Sequence, residues 1–122
     1  MKKLATGVLA FRVAYGAALL IAPGKVAANR WLGPGAHQPA ATVALRGLGA
    51  REVAVHGIAL ALLARNAPVR PWLAASIAGD LADIAAAFIS RDGIPSGSPA
   101  ATAAVAGGSA ALTAAVAASL NA

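Results

Sequence analysis

The sequence predicts an all-α integral membrane protein, a bundle of four helices joined by short loops. Three observations carry that prediction. Long apolar stretches recur along the 122 residues, separated by Pro- and Gly-marked breaks. At roughly 20 residues per crossing the chain accommodates four spans, and no separate soluble domain is expected. Hydrophobic residues make up 59% of the chain, yet Arg12, Arg51, Glu52, Asp80 and Asp83 stand near the middle of apolar runs. A charge at the centre of a membrane helix costs about 2.5–3.5 kcal/mol on insertion scales, so these side chains are expected inside the bundle, facing partners.

The first span is expected at about residues 4–22. Met1-Lys2-Lys3 before an apolar run is also how a signal peptide begins. However, Arg12 interrupts the run and Pro23-Gly24 stands where a small-residue cleavage site would, so a retained helix ended by Pro23 and Gly24 is predicted. Residues 25–33 place Trp31 and Leu32 beside Lys25 and Arg30, which predicts a short interfacial helical segment: Trp favours the head-group level and basic side chains reach water. Pro34, Gly35 and Pro39 then break the chain, and His37 in this loop is read as inert.

The second span is predicted at 40–64, with Arg65-Asn66-Ala67-Pro68 as its stop. Pro71 at a first helical position and Trp72 at the interface start the third, which runs to about residue 90. After the turn-rich Arg91–Gly97 connection, Ser98 offers an N-cap and Pro99 a first-turn residue for the fourth span, at 99–120. That helix is almost wholly Ala, Gly, Val, Thr and Ser. Small residues recur four apart at Ala103, Gly107, Ala111 and Ala115, and again at Ala100, Ala104 and Gly108, a pattern that lets backbones approach closely. This face is expected to complete the bundle or to join copies into a homo-oligomer.

The formal charge of +6 does not point to nucleic acid. Arg12, Arg46 and Arg51 are offset by Glu52, Asp80 and Asp83 within the apolar segments. The remaining charges, Lys2, Lys3, Lys25, Arg30, Arg65, Arg70, Arg91 and Asp92, sit at segment ends, where lipid head groups would meet them. A basic groove with interleaved aromatics is missing, so membrane lipids are the expected partners and nucleic acid is not. The absence of cysteine excludes disulfides and thiolate metal sites.

Depth along each predicted helix brings Arg12, Glu52 and Asp80 to one layer. Arg46 lies six residues from Glu52, or about 9 Å at 1.5 Å per residue, and Asp83 leans the same way by one turn. At 100° per residue, Arg46, Gly49, Glu52, Val53, His56 and Leu60 share a stripe, while Arg51 projects from the other side of that helix. Glu52 and His56 are one turn apart, Asp80 and Asp83 share a face, and so do Arg12 and Tyr15. The predicted site is a polar pocket lined by Arg12, Tyr15, Arg46, Arg51, Glu52, His56, Asp80 and Asp83. Asp80 and Asp83 are expected between Arg12 and one or both arginines of the second span. One of the two is expected to keep the ability to change its protonation state.

Three functions compete on this pattern. The leading one is binding of a small molecule or lipid, or proton handling. The second is a compact membrane enzyme acting on an apolar isoprenoid-like or epoxide substrate, with Asp80, Asp83 or Glu52 as acid or base and arginine stabilising developing negative charge. The third is a structural or assembly subunit held by the small-residue face. No metal or cofactor is expected: Asp80-Leu81-Ala82-Asp83 has the spacing of a magnesium-binding pair, but neighbouring arginines would compete, and His56 is read as a hydrogen-bonded core residue.

Arg46-Gly47-Leu48-Gly49-Ala50-Arg51-Glu52, Gly57 and Gly79-Asp80-Leu81-Ala82-Asp83, preceded by Pro23 and Trp31-Leu32-Gly33, resemble a group of small four-helix integral membrane proteins of high-GC bacteria. The resemblance runs from about residue 10 to residue 87 and does not reach the fourth span. It implies the topology and a bacterial inner-membrane location, and it carries no activity. The small excess of basic residues at Lys2, Lys3, Arg65 and Arg70 over those at Lys25, Arg30 and Arg91 predicts cytoplasmic termini.

Overall fold

Each long apolar run is helical in the computed structural model, which describes residues 2–29 and 31–120. The long helices are α1 (Lys2–Ile21), α3 (Pro39–Ala64), α4 (Arg70–Ile89) and α5 (Ser98–Ser119), with a short α2 (Pro23–Ala27) after the first. All four long helices are long and apolar enough to cross a membrane. Their bounds fall within two residues of those expected from sequence. The punctuation acts as its chemistry dictates. Pro39, Pro71 and Pro99 stand in the first turns of α3, α4 and α5, where a missing N–H costs nothing. α3 stops because Asn66 takes a left-handed conformation, φ 54°. The Asn66 and Ala67 N–H groups then donate back to the Leu63 and Leu62 carbonyls, closing the helix end.

Two local expectations need correction. Ser98 is not an N-cap. Its own N–H donates to the Pro95 carbonyl, which draws the helix start one residue earlier, and the Ser98 hydroxyl is buried with no hydrogen-bond partner among the described residues. The interfacial segment at 25–33 is not one piece. Only Ala22 separates α1 from α2, after which Asn29 makes a turn, donating to the Val26 carbonyl and accepting from the Trp31 N–H. A 3₁₀ turn at Gly33–His37 follows, and the His37 ring lies against Gly24 where any side chain would collide with it. Arg30 lies outside the described residues.

The bundle is assembled as two antiparallel pairs, α1 with α3 and α4 with α5, joined chiefly along α3 and α4. The tightest crossing is at Gly16 of α1 and Gly49 of α3. A Cβ added at Gly16 would stand 2.7 Å from the Gly49 carbonyl oxygen, and one added at Gly49 would stand 2.6 Å from that of Gly16. Backbone thus lies directly on backbone, the close approach that small residues permit between membrane helices. The sequence reading assigned this role to the fourth span. In the structure Ala103 and Gly107 of the small-residue series are half-buried while Ala100, Ala104, Gly108, Ala111 and Ala115 are exposed, and α5 fully buries Ser98, Pro99, Thr102, Ala110, Thr113 and Val116.

Two apolar clusters lie along the bundle. Ala5, Leu9, Ala59, Leu63, Val69, Leu73 and Val116 fill the half nearest the start of α1. Leu19, Ala27, Ala36 and Leu45, with Tyr15 and Trp31 packed against them, occupy the opposite half. Between the two lies a buried polar layer of Arg12, Glu52, His56, Ser76 and Asp80.

Candidate functional site

Arg12 organises the layer. Its Nη1 and Nη2 donate to the two Asp80 carboxylate oxygens at 2.7 and 2.6 Å, and its Nε and Nη2 donate to the two oxygens of Glu52 at 3.2 and 3.0 Å. Each carboxylate therefore receives two parallel bonds, the geometry that a planar guanidinium matches and a lysine does not. These bonds occupy four of the five guanidinium N–H groups. The Gly16–Gly49 crossing makes this reach possible. Glu52 is less than one turn from Gly49 and Arg12 is one turn from Gly16, so the two side chains meet beside the point where the helices touch.

Glu52 has a second partner in His56, one turn along α3. His56 Nδ1 lies 2.9 Å from Glu52 Oε2 and 2.8 Å from the Glu52 carbonyl oxygen, both acceptors, so this nitrogen carries the proton. On the far side of the ring, Nε2 is 2.7 Å from the Ser76 hydroxyl of α4, which can donate to it. Both ring nitrogens are thereby engaged. Ser76 was not expected from sequence; the available signal was its place one turn before Asp80, on the same face of the helix.

The aspartates divide between two arginines. Asp80 belongs to Arg12, whereas Asp83 accepts from Arg51 Nη2 at 3.2 Å. The second pair is wetter: the Arg51 side chain is 43% exposed and that of Asp83 32%. Arg46 does not join. It is exposed on α3 and donates from Nε to the Leu20 carbonyl near the end of α1. Its depth explains this: two turns from Glu52 the nearest unsatisfied acceptor is a helix-terminal carbonyl, not a carboxylate. Arg12, Tyr15, Arg51, Glu52, His56, Asp80 and Asp83 are thus brought together, and Arg46 is not.

A cavity of about 320 Å³ rests on this layer, within the range of small-molecule sites. Arg12, Glu52, Asp80 and Asp83 form its floor, and Tyr15, Leu48, Val26 and Trp31 line one wall. Asn29 also borders it, and the α5 face from Ala101 to Ser109 forms the opposite wall. Two lining residues are strongly exposed, Phe11 on α1 (71%) and Val105 on α5 (66%). The mouth therefore lies on the side of the bundle between α1 and α5, helices that meet only sparsely. Thr102, itself buried, also lines the cavity, and its hydroxyl has no hydrogen-bond partner among the described residues. Among the same residues no group of three or more His, Asp or Glu side chains is arranged to hold a metal ion.

Comparison with protein-family models, with curated proteins and with solved structures finds no match to this chain. The geometry is therefore the whole basis for a functional reading.

Proposed function

We propose that this is a membrane protein that binds a small amphiphilic molecule or lipid in the cavity between α1 and α5, with the ligand's polar end on the charged floor. The single observation that supports this most is the position of the charges. They form the floor of a cavity with an apolar sleeve and a lateral mouth, not a clasp enclosed on all sides. Helices that need only to associate have the cheaper Gly16–Gly49 solution, which this bundle already uses. In this reading the protein resides in a bacterial inner membrane with both termini cytoplasmic, as the resemblance and the basic residues Lys2, Lys3, Arg65 and Arg70 suggest.

The acid–base reading is narrower. Asp80 and Glu52 are each held by two bonds from Arg12, which leaves Asp83, half-buried on the cavity floor, as the acid best placed to exchange a proton. The assembly reading has the exposed small-residue stripe of α5 as its surface.

Native mass spectrometry of the protein extracted in mild detergent tests the ligand reading. The expected result is a small-molecule or lipid adduct that is lost when Ala106→Trp fills the cavity. An adduct pattern unchanged by that substitution would count against the cavity as the binding site.

A further inference from the structure

We propose, resting on the reading of the cavity as a ligand site, that its ligand is an amphiphile whose head group is a single ammonium-type cation. The argument begins with charge. The floor and its immediate partners hold three carboxylates, Glu52, Asp80 and Asp83, against two guanidinium groups, Arg12 and Arg51. Both His56 ring nitrogens are engaged, by Glu52 and Ser76, and Arg46 is engaged at the Leu20 carbonyl. Among the described residues the carboxylates of the layer thus outnumber its guanidinium groups. An excess of carboxylate beside an apolar cavity favours a cationic head over an anionic one.

Among the described residues an anionic head group meets no free guanidinium in the lining. Arg12, which lines the cavity, has four of its five N–H groups committed to carboxylates, and Arg51 is not among the lining side chains. A cationic head group finds Asp83 bordering the cavity, with aromatic rings from Phe11, Tyr15 and Trp31 in the lining. Aromatic faces attract cations, and quaternary ammonium recognition depends on them. Leu48, Val26, Val105 and Ala106 suit an alkyl chain, and the mouth between α1 and α5 admits it from the side without crossing the aqueous face.

Trp31 lines the cavity whereas Trp72 packs in the other half, so Trp72→Phe leaves a reporter at the site. The experiment titrates that protein, in nanodiscs of neutral lipid, with four brominated-chain amphiphiles of one chain length bearing trimethylammonium, phosphocholine, maltoside or sulfate heads. Quenching of Trp31 should saturate, and with trimethylammonium at about a tenfold lower mole fraction than with maltoside or sulfate, a modest share of what one unscreened pair supplies. Asp83→Asn should bring trimethylammonium to within about twofold of maltoside, and Asp83→Glu, which keeps the charge, should restore the preference. If phosphocholine matches trimethylammonium, a head that carries its own phosphate is accepted and the single-cation assignment is overturned; if it is weaker, the ligand is a monocationic amphiphile. Equal saturation by all four heads, or tightest binding of the sulfate, overturns the cationic assignment while leaving the cavity a binding site. Quenching that never saturates and is unchanged by Ala106→Phe overturns both.

Discussion

The two halves of the bundle on either side of the Arg12 layer are built from similar residues and packed in opposite ways. Towards the start of α1, Leu9, Leu63, Leu73 and Val116 converge from all four long helices in one buried cluster. Towards the end of α1, a 320 Å³ cavity opens over the charges between α1 and α5, which meet only sparsely. Side-chain size on α5 does not make the difference. Its later turns present Thr113 and Val116 to the closed half, and its earlier turns present Thr102 and Val105, with Ala101, Ala106 and Ser109, to the cavity, so the opening comes from how the helices are placed. Hollow packing is costly where it serves only stability, because each lining atom forgoes contacts on one side. The contrast between the halves is therefore the strongest pointer to a site.

The largest effect separating the halves is expected at the layer between them. Arg12→Leu strands Glu52 and Asp80 as buried carboxylates and should cost about 3–5 kcal/mol. Combining it with Asp80→Leu should cost less than the sum of the two single changes, by about 0.5–3 kcal/mol. Reversible unfolding in mixed micelles, run as a double-mutant cycle, measures this, and strict additivity would mean the two side chains do not meet.

Next come truncations on either side of the layer. Leu73→Ala in the filled half should cost about 2–5 kcal/mol through the void it leaves. Val105→Ala at the cavity mouth should stay within about 0.5 kcal/mol of the parent protein. Comparable losses at both positions would mean that the second half is packed as tightly as the first.

Smaller still is the contrast between two glycines. Gly16→Ala pushes a methyl into Glu52 Cβ and the Gly49 carbonyl, and should cost about 1–3 kcal/mol while loosening the Arg12–Glu52 bonds. At Gly107 an added Cβ meets only the Ile84 side-chain tip, at 3.8 Å, so Gly107→Ala should change stability by less than about 0.5 kcal/mol. The same unfolding assay ranks them; a reversed order would misplace the close crossing.

Much of this was legible in the sequence, for physical reasons that can be named. Spans and breaks follow from hydropathy and from Pro, Gly and Asn chemistry, which are local. The meeting of Arg12 with Asp80, of Glu52 with His56 and of Asp83 with an arginine of α3 follows from depth and helical phase, because a charge in an apolar run has few places to go. Long-range choices were harder. Arg46 shares the stripe of Glu52, but whether a long side chain reaches a carboxylate or a helix-terminal carbonyl depends on what lies beside it. Close packing was assigned to the small residues of α5 because they are many, whereas two glycines on α1 and α3 achieve it. Their spacing carried no repeat to mark them. The cavity was foreseen as a polar pocket, but its side and mouth depend on which pairs of helices stay together, and periodicity does not encode that.

The account stands on the claim that the bundle is hollow on one side of its charged layer and solid on the other. The chain contains no cysteine, so single introduced thiols report on this directly. Ser109 and Thr113 lie one turn apart on the same face of α5, the first lining the cavity and the second fully buried beyond it. In membranes, a small neutral maleimide should modify Ser109→Cys readily and leave Thr113→Cys unmodified until the protein is unfolded. Equal protection of both thiols, or equal labelling, would contradict the account.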